Sequence, residues 1–158
     1  MEMARILFVC LGNICRSPLA EGAMRAAAER VGMVVEVDSA GTGDWHLGKS
    51  PDPRAIVAAA RHGVDIGGLR ARQVRSDDFM LFDHVIALDR ANLAHLRRLM
   101  PADARARLSL LLDHVDDRHG QDVADPYFGE DAGFEIAWRD ISLGVDGLLE
   151  QLAGHLSK

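Results

Sequence analysis

A chain of 158 residues, 48% apolar and 27% charged, is long enough for one well-cored domain and too apolar for a disordered class. Its formal net charge of −6 argues against a nucleic-acid or anionic-membrane partner, so any anion site must be local. No apolar run approaches a membrane span, no secretory leader is recognisable, and the two cysteines, Cys10 and Cys15, lie in one loop, which excludes a disulfide scaffold and leaves no Cys-x-x-Cys pair for a structural zinc, so a cytoplasmic protein is expected.

The first element is the apolar run Ile6-Leu7-Phe8-Val9, which reads as a buried strand and opens into Cys10-Leu11-Gly12-Asn13-Ile14-Cys15-Arg16-Ser17-Pro18. Gly12 and Asn13 tolerate the left-handed backbone of a tight turn, and Ser17 and Pro18 suit a helix cap and first position. The amide groups of such a loop and helix start converge on an anion, beside the Cys10 sulfur. Arg16 adds a planar fork of donors that matches a tetrahedral oxyanion. The same positive field favours thiolate at Cys10, giving a nucleophile without a dedicated base. Thiolate and captured phosphate together imply phosphoryl transfer to sulfur.

Leu19, Ala20, Ala23, Met24, Ala27 and Ala28 then recur at helical spacing up to a stop near Gly32, and Val34 to Val37 reads as a second strand, completing a right-handed crossover. The loop Ser39 to Gly48 is marked by its glycines. Its Trp45 either packs on the domain surface or overhangs the Cys10 loop and lines a slot for a flat substrate. Pro53 to His62 is a short helix, Ser76-Asp77-Asp78 starts another, His84 to Leu88 is a third strand, and Asn92 to Met100 a further helix. Leu108 to Leu112 fits a fourth strand, although its leucines suit a helix equally. Asp113 to Gly120 is a polar loop whose His114 and His119 lack a third metal ligand, and Phe134 to Leu152 forms a long terminal helix. Strands alternating with helices predict an α/β domain with a parallel sheet spanning the chain, 1–158, and a ligand site at the carboxyl ends of its strands.

A thiolate mechanism needs an acid to protonate the leaving oxygen. Asp125 in Asp125-Pro126-Tyr127-Phe128 is the candidate, with Pro126 stiffening the turn and Tyr127 and Phe128 supplying rings beside it. A plain turn role is the competing reading of Asp-Pro, and it is the pairing with the Cys10 loop that selects the acid.

With both pieces present, the chain closely resembles the low-molecular-weight protein tyrosine phosphatases: Cys10 to Pro18 resembles the family signature, Ser39-Ala40-Gly41-Thr42 its next landmark, and Asp125-Pro126-Tyr127 its acid loop. The resemblance implies a four-stranded parallel twisted sheet with helices on both faces, no metal and no cofactor. It implies a phosphocysteine intermediate on Cys10, oxygens held by Arg16 and by the amides of Leu11, Gly12, Asn13, Ile14, Cys15 and Ser17, and Asp125 as acid and then base. Ser17 would steady the thiolate, Asn13 the loop, and Trp45, Tyr127 and Phe128 would form the rim. Cys15 is either a redox partner that traps oxidised Cys10 as a disulfide or a buried packing residue. The expected partners are phosphotyrosine proteins, with inorganic phosphate as product and a monomer or weak dimer as the working form. One departure stands out. Gly67 and Leu69 occupy positions where many bacterial relatives carry Ser and His, the His bracing the loop Asn, so a looser Asn13 is expected.

Three other readings use the same residues. Relay arsenate reduction requires cysteines beyond the loop, which the chain lacks; protein-arginine phosphatases tend to carry Thr where Ile14 stands; and a non-catalytic phosphate-binding regulator would need none of the acid machinery.

Overall fold

The computed structural model describes residues 3–156, with side chains described through Gly154. Four strands, β1 (Ala4–Cys10), β2 (Val35–Gly41), β3 (His84–Ala87) and β4 (Arg107–Leu110), form one parallel sheet in the order β2-β1-β3-β4. Five helices connect and cover them: α1 (Arg16–Arg30), α2 (Pro53–Arg61), α3 (Asp78–Leu81), α4 (Arg90–Leu99) and α5 (Ala132–Leu156).

β1 lies inside the sheet and is covered on both sides, which is why its sequence is apolar without alternation. Ile6, Phe8 and Cys10 belong to the core cluster with α1, α2 and α5, whereas Leu7 and Val9 pack with α3, α4 and β3. The parity of the strand therefore delivers the Cys10 side chain to the α1 face. Cα register pairs Cys10 with Gly41 of β2 and Val9 with Ala87 of β3, so the chain leaves β1 at the point where strand order diverges to either side.

α1 is buried along most of its length between sheet and α5, and its many alanines allow that close approach. In α5, Phe134, Ala137, Ile141, Val145, Leu148 and Leu152 recur at three- and four-residue spacing and are all buried.

The structure corrects several boundaries. α1 begins at Arg16, not at Pro18, and Cys15, not Ser17, stands at its cap position without a capping side chain. Ser17 has turned inward instead. The leucine run splits: β4 ends at Leu110 and Leu111–His114 forms a single 3-10 turn, so both readings of the leucines apply to different halves. The helix begun near Ser76 lasts one turn, and α5 starts at Ala132 and runs to Leu156. His114 donates or accepts at both ring nitrogens, with Ser109 Oγ at 2.9 Å and Gln151 Oε1 at 2.6 Å, which ties β4 to α5.

Candidate active site

The loop from Cys10 to Arg16 is shaped by where its carbonyls go. Those of Cys10, Leu11 and Ile14 point away from the loop's centre to the N–H groups of Thr42, Gly43 and Asp52, at 2.9, 2.9 and 2.8 Å. Among the described residues, no hydrogen bond uses the N–H groups of residues 11–15. A loop whose acceptors are spent outward and whose donors are all free is a ready anion cradle.

Asn13 carries the turn, with a φ of 57°, and among the described residues no other non-glycine has a positive φ. Gly12 has no such conformation; a side chain there would meet the His46 ring, 2.9 Å from the position of a Cβ. The whole loop rests on β2: a Cβ at Gly41 would lie 2.8 Å from the Leu11 carbonyl oxygen and 3.1 Å from the Gly12 carbonyl carbon. Gly41→Ala must therefore push the loop off its seat. We expect it to lower kcat/KM for any aryl phosphate by about tenfold or more, since small misplacements at a reacting centre have effects of that order, while Gly68→Ala, in open space and without a positive φ, leaves it unchanged.

Behind the cradle runs a buried polar chain. Glu21 Oε1 accepts from Ser39 Oγ at 2.7 Å, so Ser39 Oγ is an acceptor for Asn13 Nδ2 at 3.0 Å. The other Asn13 Nδ2 hydrogen goes to Ser17 Oγ at 2.8 Å, and Ser17 Oγ lies 3.0 Å from Cys10 Sγ. With its oxygen already receiving from Asn13, Ser17 has one proton to give and two acceptors in reach, the Cys10 sulfur at 3.0 Å and the Ala40 carbonyl at 3.4 Å, of which the sulfur is the nearer. Asn13 Oδ1 in turn receives the backbone N–H of Arg72 at 2.9 Å. The looser Asn13 expected from Leu69 is thus corrected: every polar atom of its side chain is engaged, and a main-chain amide two residues beyond the Gly68-Leu69-Arg70 stretch does the bracing. Burial pushes the Glu21 carboxyl up, against the opposing pull of Ser39 and Arg25.

Arg16 is buried and its fork is aimed by fixed acceptors. Nη1 donates to Asp89 Oδ2 at 2.7 Å and to the Val123 carbonyl at 2.8 Å, and Nη2 lies 3.5 Å from Asp125 Oδ2. Burial opposes its charge, yet Cys10, Asp89 and Asp125 outweigh that penalty and raise its guanidinium above the ordinary value. Nε, with no partner among the described residues, remains available to an anion. Asp89 is itself fixed as the cap of α4, accepting the Asn92 N–H at 2.7 Å through Oδ1.

Cys10 and Cys15 are both free thiols and both buried. Burial first, and then the negative charges of Cys10, Asp52 and Asp125, push the Cys15 thiol far up, which leaves it protonated and poorly nucleophilic.

Cys10, Arg16 and Asp125 open into one cleft of about 240 Å³. Leu11, Gly12, Ile14 and Cys15 line its base, and Trp45, His46, Tyr127 and Phe128 its walls. Asn13 and Ser17 lie behind the cradle, not in it. Trp45 is 65% and Phe128 94% exposed; the Trp45 ring lies across Gly43, 1.9 Å from where a Cβ there would be, so it packs on its own loop and borders the cleft at once. Tyr127 meets Phe128 edge to face at 4.8 Å. Asp125 Oδ1 accepts the Tyr127 N–H at 3.1 Å, the local turn that its sequence suggests, and this turn leaves the carboxyl at the cleft.

Sequence reasoning passed over His46, Asp89 and Arg54. Asp89 carried a readable signal, a carboxylate directly after the strand beside β1. No group of three or more potential metal-ligating His, Cys, Asp or Glu side chains occurs among the described residues, and no helix of these residues is long and apolar enough to cross a membrane.

The family model described as low molecular weight phosphotyrosine protein phosphatase matches residues 5–158. The low molecular weight protein-tyrosine-phosphatase of Streptomyces coelicolor is 43% identical over 160 aligned residues, covering 96% of this chain and 97% of that protein. Low molecular weight phosphotyrosine protein phosphatase 2 of Drosophila melanogaster is 40% identical over 154, covering 95% and 93%. The crystal structure of YfkJ from Bacillus subtilis superposes with a TM-score of 0.91 at 38% identity, covering 98% of each chain.

Proposed function

The chain belongs to the low-molecular-weight phosphotyrosine protein phosphatase family, cysteine-dependent hydrolases, and from that premise we propose how its own residues divide the reaction. The observation that carries the reading is the coincidence, in one cleft, of a thiol, a loop of unpartnered N–H groups, a fixed guanidinium and a carboxyl.

Phosphotyrosine enters between Trp45 and Tyr127, and its phosphoryl oxygens are taken by the amides of residues 11–15 and by Arg16. The Cys10 thiolate attacks phosphorus in line with the leaving phenol oxygen; the S–P bond forms as the P–O bond breaks. Asp125 gives its proton to that oxygen, so tyrosine leaves neutral. The resulting carboxylate takes a proton from water, whose oxygen attacks phosphorus and releases inorganic phosphate. The S–P bond breaks, and the thiolate returns to the hydrogen bond of Ser17. Arg16 and the amides meet charge that spreads over the equatorial oxygens, and their fixed orientation is the source of the stabilisation.

If Cys10 is oxidised to a sulfenic acid, one of the negative charges that hold Cys15 protonated is lost, and Cys15, forced close by the shared loop, condenses with the sulfenic acid to a disulfide and water, slowly because burial still disfavours its thiolate. Both roles require a reduced thiol pair at rest, which favours a reducing compartment such as the cytoplasm.

The substrate class is tested by presenting phosphotyrosine, phosphoserine, phosphoarginine and arsenate to the same preparation. The aromatic walls and Ile14 predict that phosphotyrosine has the highest kcat/KM. A higher value for phosphoarginine, or arsenate reduction exceeding hydrolysis, would overturn the assignment.

A further inference from the structure

Arg54 is the second residue of α2 and has no role in the steps above. Its fork grips Asp52, Nε to Oδ1 at 3.0 Å and Nη2 to Oδ2 at 2.9 Å. Nη2 also donates to the Tyr127 carbonyl at 2.9 Å and Nη1 to the Gly129 carbonyl at 3.2 Å. The guanidinium lies 4.7 Å from the centre of the Phe134 ring, which supports its plane. Among the described residues, these two bonds are the only ones that reach the backbone of residues 125–129 from outside that loop. Asp52 meanwhile donates its N–H to the Ile14 carbonyl at 2.8 Å, inside the Cys10 loop. One continuous chain of bonds therefore joins the two loops through the start of α2.

We infer that Arg54 is a positioning residue: by holding the Tyr127–Gly129 backbone against α2, it fixes the distance and angle at which Asp125 meets the leaving oxygen above Cys10. The inference rests on Asp125 being the proton donor. Asp125 takes its orientation from the Tyr127 N–H, and its direct contact with Arg16 is long, 3.5 Å, so the loop's own anchor decides where the carboxyl sits. Arginine is required because three acceptors in different directions are met by one rigid fork; a lysine ammonium keeps the charge but cannot hold that geometry.

The test compares kcat/KM for phosphotyrosine with that for an aryl phosphate whose phenol is acidic enough to leave unprotonated, using Arg54→Lys, Arg54→Gln and Asp125→Asn. The ratio of the two esters on one preparation cancels any loss of folded enzyme and any shared change in ring binding. Both Arg54 variants are expected to lower the ratio about tenfold, an effect typical of a misplaced catalytic group, and to leave inhibition by inorganic phosphate unchanged. In the Asp125→Asn background, Arg54→Lys should change the ratio no further, since the group it positions is gone. An unchanged ratio in both Arg54 variants, or an equal drop with and without Asp125, overturns the positioning role. If Asp125→Asn itself leaves the ratio unchanged, the acid assignment falls first; if only the Arg54 variants do, Asp125 stands and Arg54 does not.

Discussion

Cys10→Ser is expected to lower phosphotyrosine turnover by roughly 10⁴-fold or more, close to background, because removal of a covalent nucleophile has effects of that order. The substitution exchanges one atom at the base of the cradle and leaves the N–H groups of residues 11–15 and the Arg16 fork in place. Phosphate binding should therefore persist while chemistry stops. A serine hydroxyl is a weak nucleophile at neutral pH, and Ser17 Oγ, 3.0 Å from the sulfur in the wild type, is already committed as the acceptor of the Asn13 amide and cannot act as a base for it. Competitive displacement of a bound aryl phosphate by inorganic phosphate checks the first half and steady-state hydrolysis the second. Retained turnover would point to a mechanism that bypasses sulfur, and would also revive the view of the cleft as a binding module with adventitious activity.

Asp125→Asn carries the second large effect. Asparagine keeps the shape and can still accept the Tyr127 N–H, so the turn is preserved while the proton is lost. For phosphotyrosine, whose phenolate is a poor leaving group, kcat/KM should fall by about 10²-fold, the size of a general-acid contribution. For an ester whose phenolate leaves readily, the loss should stay below about tenfold, because little protonation is needed there. kcat/KM is the right quantity because it reports steps through formation of the phosphoenzyme and omits the later hydrolysis, in which the proposed mechanism gives the same carboxylate the role of base. Equal losses on both esters would remove Asp125 from the acid role and leave it as a structural turn residue.

These residues also show what a sequence can and cannot carry. The alternation of apolar runs with helical periodicities made the sheet, its parallel sense and the position of the Cys10 loop legible, because burial leaves its mark directly on composition. Loop chemistry was legible where a residue type is rare or chemically distinctive, as with Cys10, Arg16 and the Trp45, Tyr127 and Phe128 rings. Supports made by the main chain were not. Asn13 is braced by the N–H of Arg72, and an amide of that kind is present at almost every position, so side-chain identity gives no hint of it. Ser17 was legible as a polar residue at a helix start and illegible as to direction, since only the packing of Asn13 and Cys10 around it decides between a cap and an inward donor. Arg54 and Asp89 look like ordinary surface charges in a chain with 27% charged residues, and their importance lies in which carbonyls and carboxylates the fold brings to them.

The covalent step is the centre of this account, and rapid acid quench during phosphotyrosine turnover, followed by mass measurement of the peptide that carries Cys10, tests it most directly. A phosphoryl group on the Cys10 sulfur, absent in Cys10→Ser and accumulating in Asp125→Asn supplied with an ester whose phenolate leaves readily, where formation is largely spared and hydrolysis is slowed, is the predicted result. A fully unmodified Cys10 under fast turnover, in wild type and in Asp125→Asn alike, would contradict it.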